Sequence, residues 1–263
     1  MTVPMYIFPQ PQFTKEQETR LKQITESPYL TISDYTSSEI RQLAAAYSFY
    51  SGKIEGNTYD YVDTESLLLD DITAPKKYED AVMLKNLFNT FIEMHSRIRR
   101  HGPIEVNPEL VKDIHSMLSD KLLPDEDRGR IRRVAIKVNG TNYIPSKKRQ
   151  YLSDGLDHIL LQAGKIKETN TRAIFTHLNI ARLQPFRDVN KRTARMIESV
   201  ILMNEGLCPV YSTSEIQVAM YRRDILHFYE TKDFSQYINF FLNRREEIVR
   251  RLTPEEPDKK KGY

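Results

Sequence analysis

The sequence has few glycines, a single cysteine and no long apolar run, and each scarcity excludes a class of protein. Only 9 of its 263 residues are glycine, which together with long segments of helical period indicates a mostly helical chain. Cys208 cannot form an internal disulfide, and we interpret it as a small core residue. No stretch approaches the ~18 consecutive apolar residues of a membrane span. We therefore expect no membrane association and a cytoplasmic location.

A strong net charge is also missing. The chain has 39 Lys and Arg against 36 Asp and Glu, a formal charge of +3, which argues against an obligatory coat of nucleic acid. Two local basic runs remain, "RGRIRR" at Arg128–Arg133 and "KKR" at Lys147–Arg149. We interpret them as solvated faces, and nucleic-acid binding through them is a weaker alternative that salt-dependent retention would test.

Hydrophobic periodicity predicts helices through most of the chain. The first has Ile40, Ala44 and Tyr47 on one face and stops near the glycines of "SGKIEGN". Further helices are predicted over Leu84–Ile98, from the Asn107 cap and Pro108, over Leu152–Gln162, Thr171–Arg182, Asn190–Asn204 and Ser214–Tyr229, and from Asp233 onward. Ser212 and Glu215 have the spacing of a capping box. The fold class that follows is all-α.

One segment breaks the helical period. In "GRIRRVAIKVNGTNYIPS", Val134, Ile136 and Val138 alternate with polar residues, and Asn139-Gly140 then stands where a hairpin turn would lie. This pattern predicts a β-hairpin.

The stretch "LQPFRDVNKRTARM" combines a helix break with four basic side chains. Pro185 ends one helix and "TARMIESVILMN" forms another, so the residues between them form a turn that leads into a helix start. Such a start attracts anions, and Arg192 and Arg195 add guanidinium groups on one face. The pattern suits a di- or triphosphate, with Asp188 holding a magnesium ion and Asn190 pinning the loop. A purely structural alternative stays open, in which Asp188 caps the helix and pairs with Arg192 while Phe186 fills the core.

The same stretch resembles the signature of the Fic (Fic/Doc) family. That signature is His-Pro-Phe-x-[Asp/Glu]-Gly-Asn-[Gly/Lys]-Arg-x-x-Arg, and it is matched at Pro185, Phe186, Asp188, Asn190, Lys191, Arg192 and Arg195. The segments "NPELVKDIHSML" and "GRIRRVAIKVNG" with "YIPS", and His177, resemble family counterparts in the same order, over roughly Ser48–Asn243. The motif "SGKIEGN" is similar to the family's inhibitory pattern [Ser/Thr]-x-x-x-Glu-[Gly/Asn], with Ser51 and Glu55 in register.

The resemblance implies a fold and a domain organisation. The expected architecture is a Fic-like helical bundle with one β-hairpin flap. Residues 1–36 would form an N-terminal arm and helix, residues 37–252 the helical domain with an inhibitory helix near 39–57, and residues 253–263 a polar tail.

The resemblance also implies an activity, the transfer of AMP from ATP to a hydroxyl of a target protein. The nucleotide-binding residues would be Phe186, Asp188, Val189, Asn190, Lys191, Arg192 and Arg195, with Asp188 as the magnesium ligand. Glu55, with Ser51, would pair with Arg195 and displace the γ-phosphate. An unknown target protein would dock on the hairpin at 130–145, and a homodimer is left open.

Two residues depart from the family pattern. Gln184 stands where the catalytic His belongs; it can orient a hydroxyl but cannot accept a proton, and the loss of a general base costs ~10²- to 10⁴-fold in rate. Val189 replaces a glycine, and a β-branched residue there is strongly disfavoured if the position needs a positive φ. His177 lies seven residues upstream of Gln184, and we interpret it as structural.

These departures leave several functions open. The chain is an autoinhibited enzyme with weak or lost transfer, or a non-catalytic Fic-fold module that regulates or binds a partner. A further alternative moves another phosphate-containing group or removes AMP, with Glu55 aligning water. The other histidines lack metal-pair spacing, and we interpret them as surface or core residues: His95, His101, His115, His158 and His227.

Overall fold

The computed structural model describes residues 8–212 and 214–253, and it confirms the all-α fold. The described chain forms ten α-helices and a short 3-10 turn at Pro28–Leu30. The helices are α1 Lys15–Thr25, α2 Ser37–Ile54, α3 Tyr61–Leu69, α4 Tyr78–His101, α5 Pro108–Leu118, α6 Arg149–Ala163, α7 Thr169–Leu183, α8 Asn190–Asn204, α9 Glu215–Thr231 and α10 Ser235–Leu252. The first seven residues of the predicted arm and residues 254–263 of the predicted tail lie outside the described ranges.

Helix α8 is the centre of the fold. All of its residues from Arg192 to Met203 are buried, as expected of a helix that has neighbours on every side. It packs against α7 along its length and also against α4 and α5, while α2 packs on α4 and α9. The bundle therefore surrounds α8, and the start of α8 lies close to the end of α2. Within the described part of the chain, no helix is both long enough and apolar enough to cross a membrane.

Local sequence signals set several helix ends. Asn107 caps α5 by accepting a hydrogen bond from the Leu110 amide, with Pro108 in the first turn, as predicted. Helices α1 and α2 begin with capping boxes at Thr14 and Thr36. The predicted capping box of α9 is wrong. Helix α9 begins at Glu215 with Ser214 as its N-cap, so Ser212 lies before the cap position, and its hydroxyl accepts from the Ser214 amide.

The predicted β-hairpin over residues 130–145 does not form strands. Its turn is present, with Gly140 at φ 82°, but the segment on either side has no strand pairing. Val134 and Ile144 are exposed, and a two-stranded ribbon that covers no sheet or helix with its apolar face is marginal in water. The tip is held instead by Glu230 of α9, which accepts from Thr141 and Asn142. We call residues 130–145 the flap segment.

Candidate functional site

The loop between α7 and α8 is bracketed by two strained residues. Gln184 ends α7 at φ 52° and Val189 precedes α8 at φ 61°. A non-glycine residue in this left-handed region costs ~1–2 kcal/mol, and such strain is concentrated at functional sites. The position of Val189 therefore does require a positive φ, the conformation in which a β-branched residue is strongly disfavoured.

Two side chains, Asn190 and His115, fix the loop. Asn190 pins it as expected: its Oδ1 accepts from the Phe186 amide at 2.8 Å and its Nδ2 donates to the Phe186 carbonyl at 2.9 Å. His115 of α5 also holds the loop. Its Nδ1 accepts from the Gly129 amide, so its Nε2 carries the proton and donates to the Asp188 carbonyl at 3.1 Å.

His115 is a positioning residue that the sequence pattern did not reveal. Its ring stacks on Phe186 with the centroids 3.9 Å apart. Burial, together with the charge of Arg192, lowers the pKa of His115 to about 4. The imidazole is therefore neutral near pH 7, as its two hydrogen bonds require. No local signal in the sequence could have linked His115 to a loop about 70 residues further along the chain.

Arg192 lies in the first turn of α8 with donors that have no partner. The residue is 5% exposed, and its Nε and Nη1 have no hydrogen-bond partner among the described residues. Its Nη2 is 3.6 Å from the Asp188 carboxylate, too far for a hydrogen bond. No side chain caps the helix start, which leaves backbone N–H groups free as well. Buried donors without acceptors are costly, so this arrangement fits an anionic ligand.

Arg195, one turn later, donates hydrogen bonds from all three of its guanidinium nitrogens. Its Nε donates to Ser51 Oγ at 2.7 Å, its Nη2 to Glu55 Oε1 at 2.8 Å and to the Ser51 carbonyl at 3.2 Å, and its Nη1 to Tyr221 Oη at 3.1 Å. The structure therefore brings Ser51 and Glu55 to the arginine that the sequence motif indicated.

A buried polar chain stands behind Arg195. Tyr221 lies 2.9 Å from Nε2 of His177, whose Nδ1 is 2.5 Å from Glu198 Oε2. Tyr237 donates to the same carboxylate at 2.9 Å. Burial lowers the pKa of His177, so a neutral ring donates to Glu198 and accepts from Tyr221. His177 is used in holding Arg195 in place, in agreement with its structural interpretation.

Glu55 caps the C-terminus of α2 and contacts two cations. Besides Arg195, its Oε2 lies 3.0 Å from Lys191 Nζ. Burial by itself would raise the pKa of Glu55, but the charges of Arg195, Lys191 and Arg192 outweigh it and lower the pKa to about 2. The last turn of α2 is anchored by Arg222 of α9, whose guanidinium donates to the carbonyls of Lys53 and Ile54. The carboxylate is thus charged and firmly positioned.

A cleft of about 310 Å³ opens between the end of α2, the flap segment, the strained loop and α9. Its walls include the predicted site residues Glu55, Gln184, Asp188 and Lys191. Five of the seven predicted nucleotide contacts do not line the cleft: Asn190, Arg192, Arg195, Phe186 and Val189. Of these, Phe186 and Val189 are apolar and buried in the core. Their role in the structure is to support the loop.

Gln184 and Asp188 occupy different environments in the cleft. Gln184 is buried, and its amide nitrogen donates to the Ala181 carbonyl at 2.7 Å. Asp188 is exposed, with Oδ1 accepting from the Val189 amide at 2.6 Å. The described residues contain no group of three or more His, Cys, Asp or Glu that could hold a metal ion. A single carboxylate fits magnesium when phosphate oxygens and water supply the remaining ligands.

The sequence of this chain is similar to those of known proteins. Residues 105–202 match the family model described as Fic/DOC family. Over 216 residues, 81% of the chain, the sequence is 24% identical to protein adenylyltransferase fic-1 of Caenorhabditis briggsae. It is 23% identical over 209 residues to protein adenylyltransferase Fic of Nematostella vectensis. The chain spans 42% and 44% of these relatives' lengths.

Solved structures show the same fold. Fic-1 of C. elegans superposes with a TM-score of 0.74 at 19% identity, covering 90% of this chain and 71% of that one. A Fic family protein of Desulfovibrio desulfuricans gives a TM-score of 0.75 at 17% identity, covering 92% and 76%. The fold, the matched family model and the named relatives agree, and the chain carries a Fic/DOC family domain at residues 105–202.

Proposed function

We propose that the start of α8, together with the cleft beside it, binds ATP with magnesium, and that the protein is of the protein adenylyltransferase type, restrained by Glu55 and weakened by Gln184. The observation that carries the proposal is Arg192, buried at the uncapped start of α8 with two unpaired donor nitrogens. The names of the sequence relatives, protein adenylyltransferases, support the same reaction class.

The start of α8 would hold the phosphates. The free amides of the first turn and the guanidinium of Arg192 would donate to phosphate oxygens, and charge-assisted bonds of this kind are about twice as strong as neutral ones. Asp188 would bind the magnesium ion, which supplies charge neutralisation and orients the phosphates. Lys191 lies on the cleft wall and adds a further cation.

Glu55 would oppose the terminal phosphate. It already satisfies Arg195 and contacts Lys191, and one set of donors cannot serve two anions at full strength. Binding of a triphosphate with its last group on Arg195 therefore requires Glu55 to move. This requirement is the proposed autoinhibition.

Gln184 would limit the chemistry. In AMP transfer the acceptor hydroxyl oxygen forms a bond to the α-phosphorus, the bond to the β-phosphate bridging oxygen breaks, and pyrophosphate leaves. The hydroxyl proton must go to a base, and the Gln184 amide cannot take it. Water in the open cleft would have to accept the proton, which makes transfer slow.

A non-catalytic module is the second candidate. Gln184 and the strained Val189 favour it, because neither serves fast transfer. In this case the nucleotide, or only the fold, would regulate a partner bound at the flap segment. The cytoplasmic location, the homodimer and the domain boundaries stay predictions from the sequence.

A transfer assay separates the two candidates. ATP labelled at the α-phosphate would be incubated with cell lysate and the Glu55→Gly variant, with and without Gln184→His. For a latent enzyme we expect Gln184→His to raise label transfer by ~10²- to 10⁴-fold, while Gln184→Asn, which also lacks a base, leaves it at background. If Gln184→His binds ATP and still transfers nothing, the enzyme assignment is wrong and the module remains.

A further inference from the structure

A buried arginine holds the two basic runs of the sequence side by side. Arg132 donates from Nη1 to the Val134 carbonyl and from Nη2 to the Ser146 carbonyl, both at 2.6 Å. Its Nε donates to the Gln184 carbonyl at 2.8 Å, and its amide donates to the Pro185 carbonyl at 3.0 Å. The runs at each end of the flap segment are therefore joined to each other and to the loop of the cleft.

Together these runs form one uncompensated cationic surface. Its five members are exposed: Arg130, Arg133, Lys147, Lys148 and Arg149. We call them the basic surface. None of the five forms an ion pair within the described residues, although many other charged residues do. Arg130 and Arg149 also line one cavity of about 380 Å³, with Lys112 on its wall. Clustered charge beside a concave wall concentrates the positive potential.

We propose that the basic surface binds an acidic segment of the protein whose hydroxyl enters the cleft. The inference rests on the proposed function only in taking that partner to be a protein substrate. Arg132 ties the surface to the backbone of Gln184 and Pro185, so a chain that reaches the cleft along the flap segment passes these cations. Carboxylates near the modified hydroxyl would then pair with them, which favours association and sets the orientation of the substrate.

The charges around the surface favour a short acidic peptide over a nucleic acid. Asp125 and Glu126 are exposed just before Arg130 in the sequence, and the exposed Asp113 follows Lys112 of the cavity wall. A continuous phosphate backbone would have to pass near these acids. The net charge of the chain is only +3, whereas nucleic-acid affinity grows with the number of phosphates neutralised. A few carboxylates can be placed on the cations without meeting these acids.

The test measures peptide binding without nucleotide. Fluorescence anisotropy would follow a labelled short peptide of alternating Glu and Ser, with a Gln and Ser peptide and a single-stranded oligothymidine of the same charge as comparisons. The variant Arg130→Glu/Arg149→Glu reverses two charges of the surface. Lys165→Glu/Lys167→Glu is the matched control, since both lysines are exposed and the change in net charge is identical.

We expect the acidic peptide to bind at low salt and to weaken as salt is added. The surface variant should lose at least about tenfold in affinity, while the control variant stays within about twofold of the wild type. Equal losses in both variants, no binding at low salt, or tighter binding of the oligothymidine would each overturn the proposal. Because the assay needs no nucleotide, a failure here is distinguishable from a failure of the cleft to bind ATP.

Discussion

Arg192 and Arg195, three residues apart on α8, differ in how many of their guanidinium nitrogens have hydrogen-bond partners. Each of the three guanidinium nitrogens of Arg195 donates a hydrogen bond, with Ser51, Glu55 and Tyr221 as acceptors. Arg192 is equally buried and has two donor nitrogens unpaired. An intramolecular carboxylate takes the place of an anion at Arg195, whereas Arg192 has donors ready for a ligand. Under the proposed function, Glu55 restrains anion binding at Arg195, whereas the unpaired donors of Arg192 are available to the nucleotide.

The largest expected effect compares the two arginines in stability. Arg195→Met leaves the mostly covered Glu55 carboxylate with Lys191 as its remaining cation and removes the donor to Ser51 and Tyr221, so it should lower the free energy of unfolding by about 3–5 kcal/mol. Arg192→Met replaces unpaired donors with an apolar chain of similar length and should change it by less than about 1 kcal/mol. Urea unfolding without nucleotide measures both.

A double variant checks the cause. Glu55→Gln/Arg195→Met removes the Glu55 carboxylate charge together with its arginine partner. It should therefore recover part of the free energy of unfolding that Arg195→Met loses. If Arg192→Met is as destabilising as Arg195→Met, the contrast between the two sites is wrong.

The second prediction concerns the dependence of stability on pH through His115, which holds the loop before α8. The pKa of His115 is about 4, against an ordinary 6.5, so the folded protein binds this proton less readily than the unfolded chain. The contribution of neutral His115 to the free energy of unfolding is complete above pH 6.5. It falls by about 3 kcal/mol in total as the pH falls toward 4. His177 adds to the same trend.

Melting temperatures between pH 7 and pH 5 test this prediction. The wild type should lose stability on acidification, and His115→Gln should show a shallower loss because one titrating group is gone. His101→Gln, at an exposed histidine, should keep the wild-type slope. If the melting temperature of His115→Gln falls with pH as steeply as that of the wild type, His115 is not the cause of the lost stability.

The smallest effect concerns the strain at Val189. In most helical positions Ala is more stabilising than Gly by about 1 kcal/mol. At φ 61° the order should reverse, since Gly carries no left-handed penalty and Ala does. We expect Val189→Gly to be more stable than Val189→Ala by about 1 kcal/mol in urea unfolding. The opposite order would show that the loop relaxes out of the left-handed conformation.

The parts of the fold that could be predicted are those set by local signals. The Asn107 cap and the periodicity of α8 depend on neighbours within a few residues, and both were confirmed. The prediction of strands in the flap segment was wrong, because the alternation in Val134–Val138 does not show whether a sheet is available to pair with them. Helix α3 was not predicted, although Asp60 caps it, because its 9 residues make only about two and a half turns and end in three consecutive leucines, so no helical period stands out.

The candidate site was predictable as motifs but not as contacts. The spacing of Arg192 and Arg195 and the register of Ser51 and Glu55 could be taken from the sequence through a family resemblance. The supports of these residues could not, since His115 and Arg222 come from helices far away in the chain. Such partners are chosen by tertiary packing, for which one sequence has no local signal.

Titration of ATP with magnesium by calorimetry tests the central claim most directly, with wild type, Glu55→Gly and Glu55→Gly/Arg192→Ala. The account predicts that Glu55→Gly binds about tenfold or more tightly than wild type, because Arg195 is released for a phosphate. Arg192→Ala in that background should weaken binding at least about 100-fold, through the loss of charge-assisted bonds. Absence of binding in Glu55→Gly, or binding unaffected by Arg192→Ala, would contradict the assignment of the start of α8 as a nucleotide site.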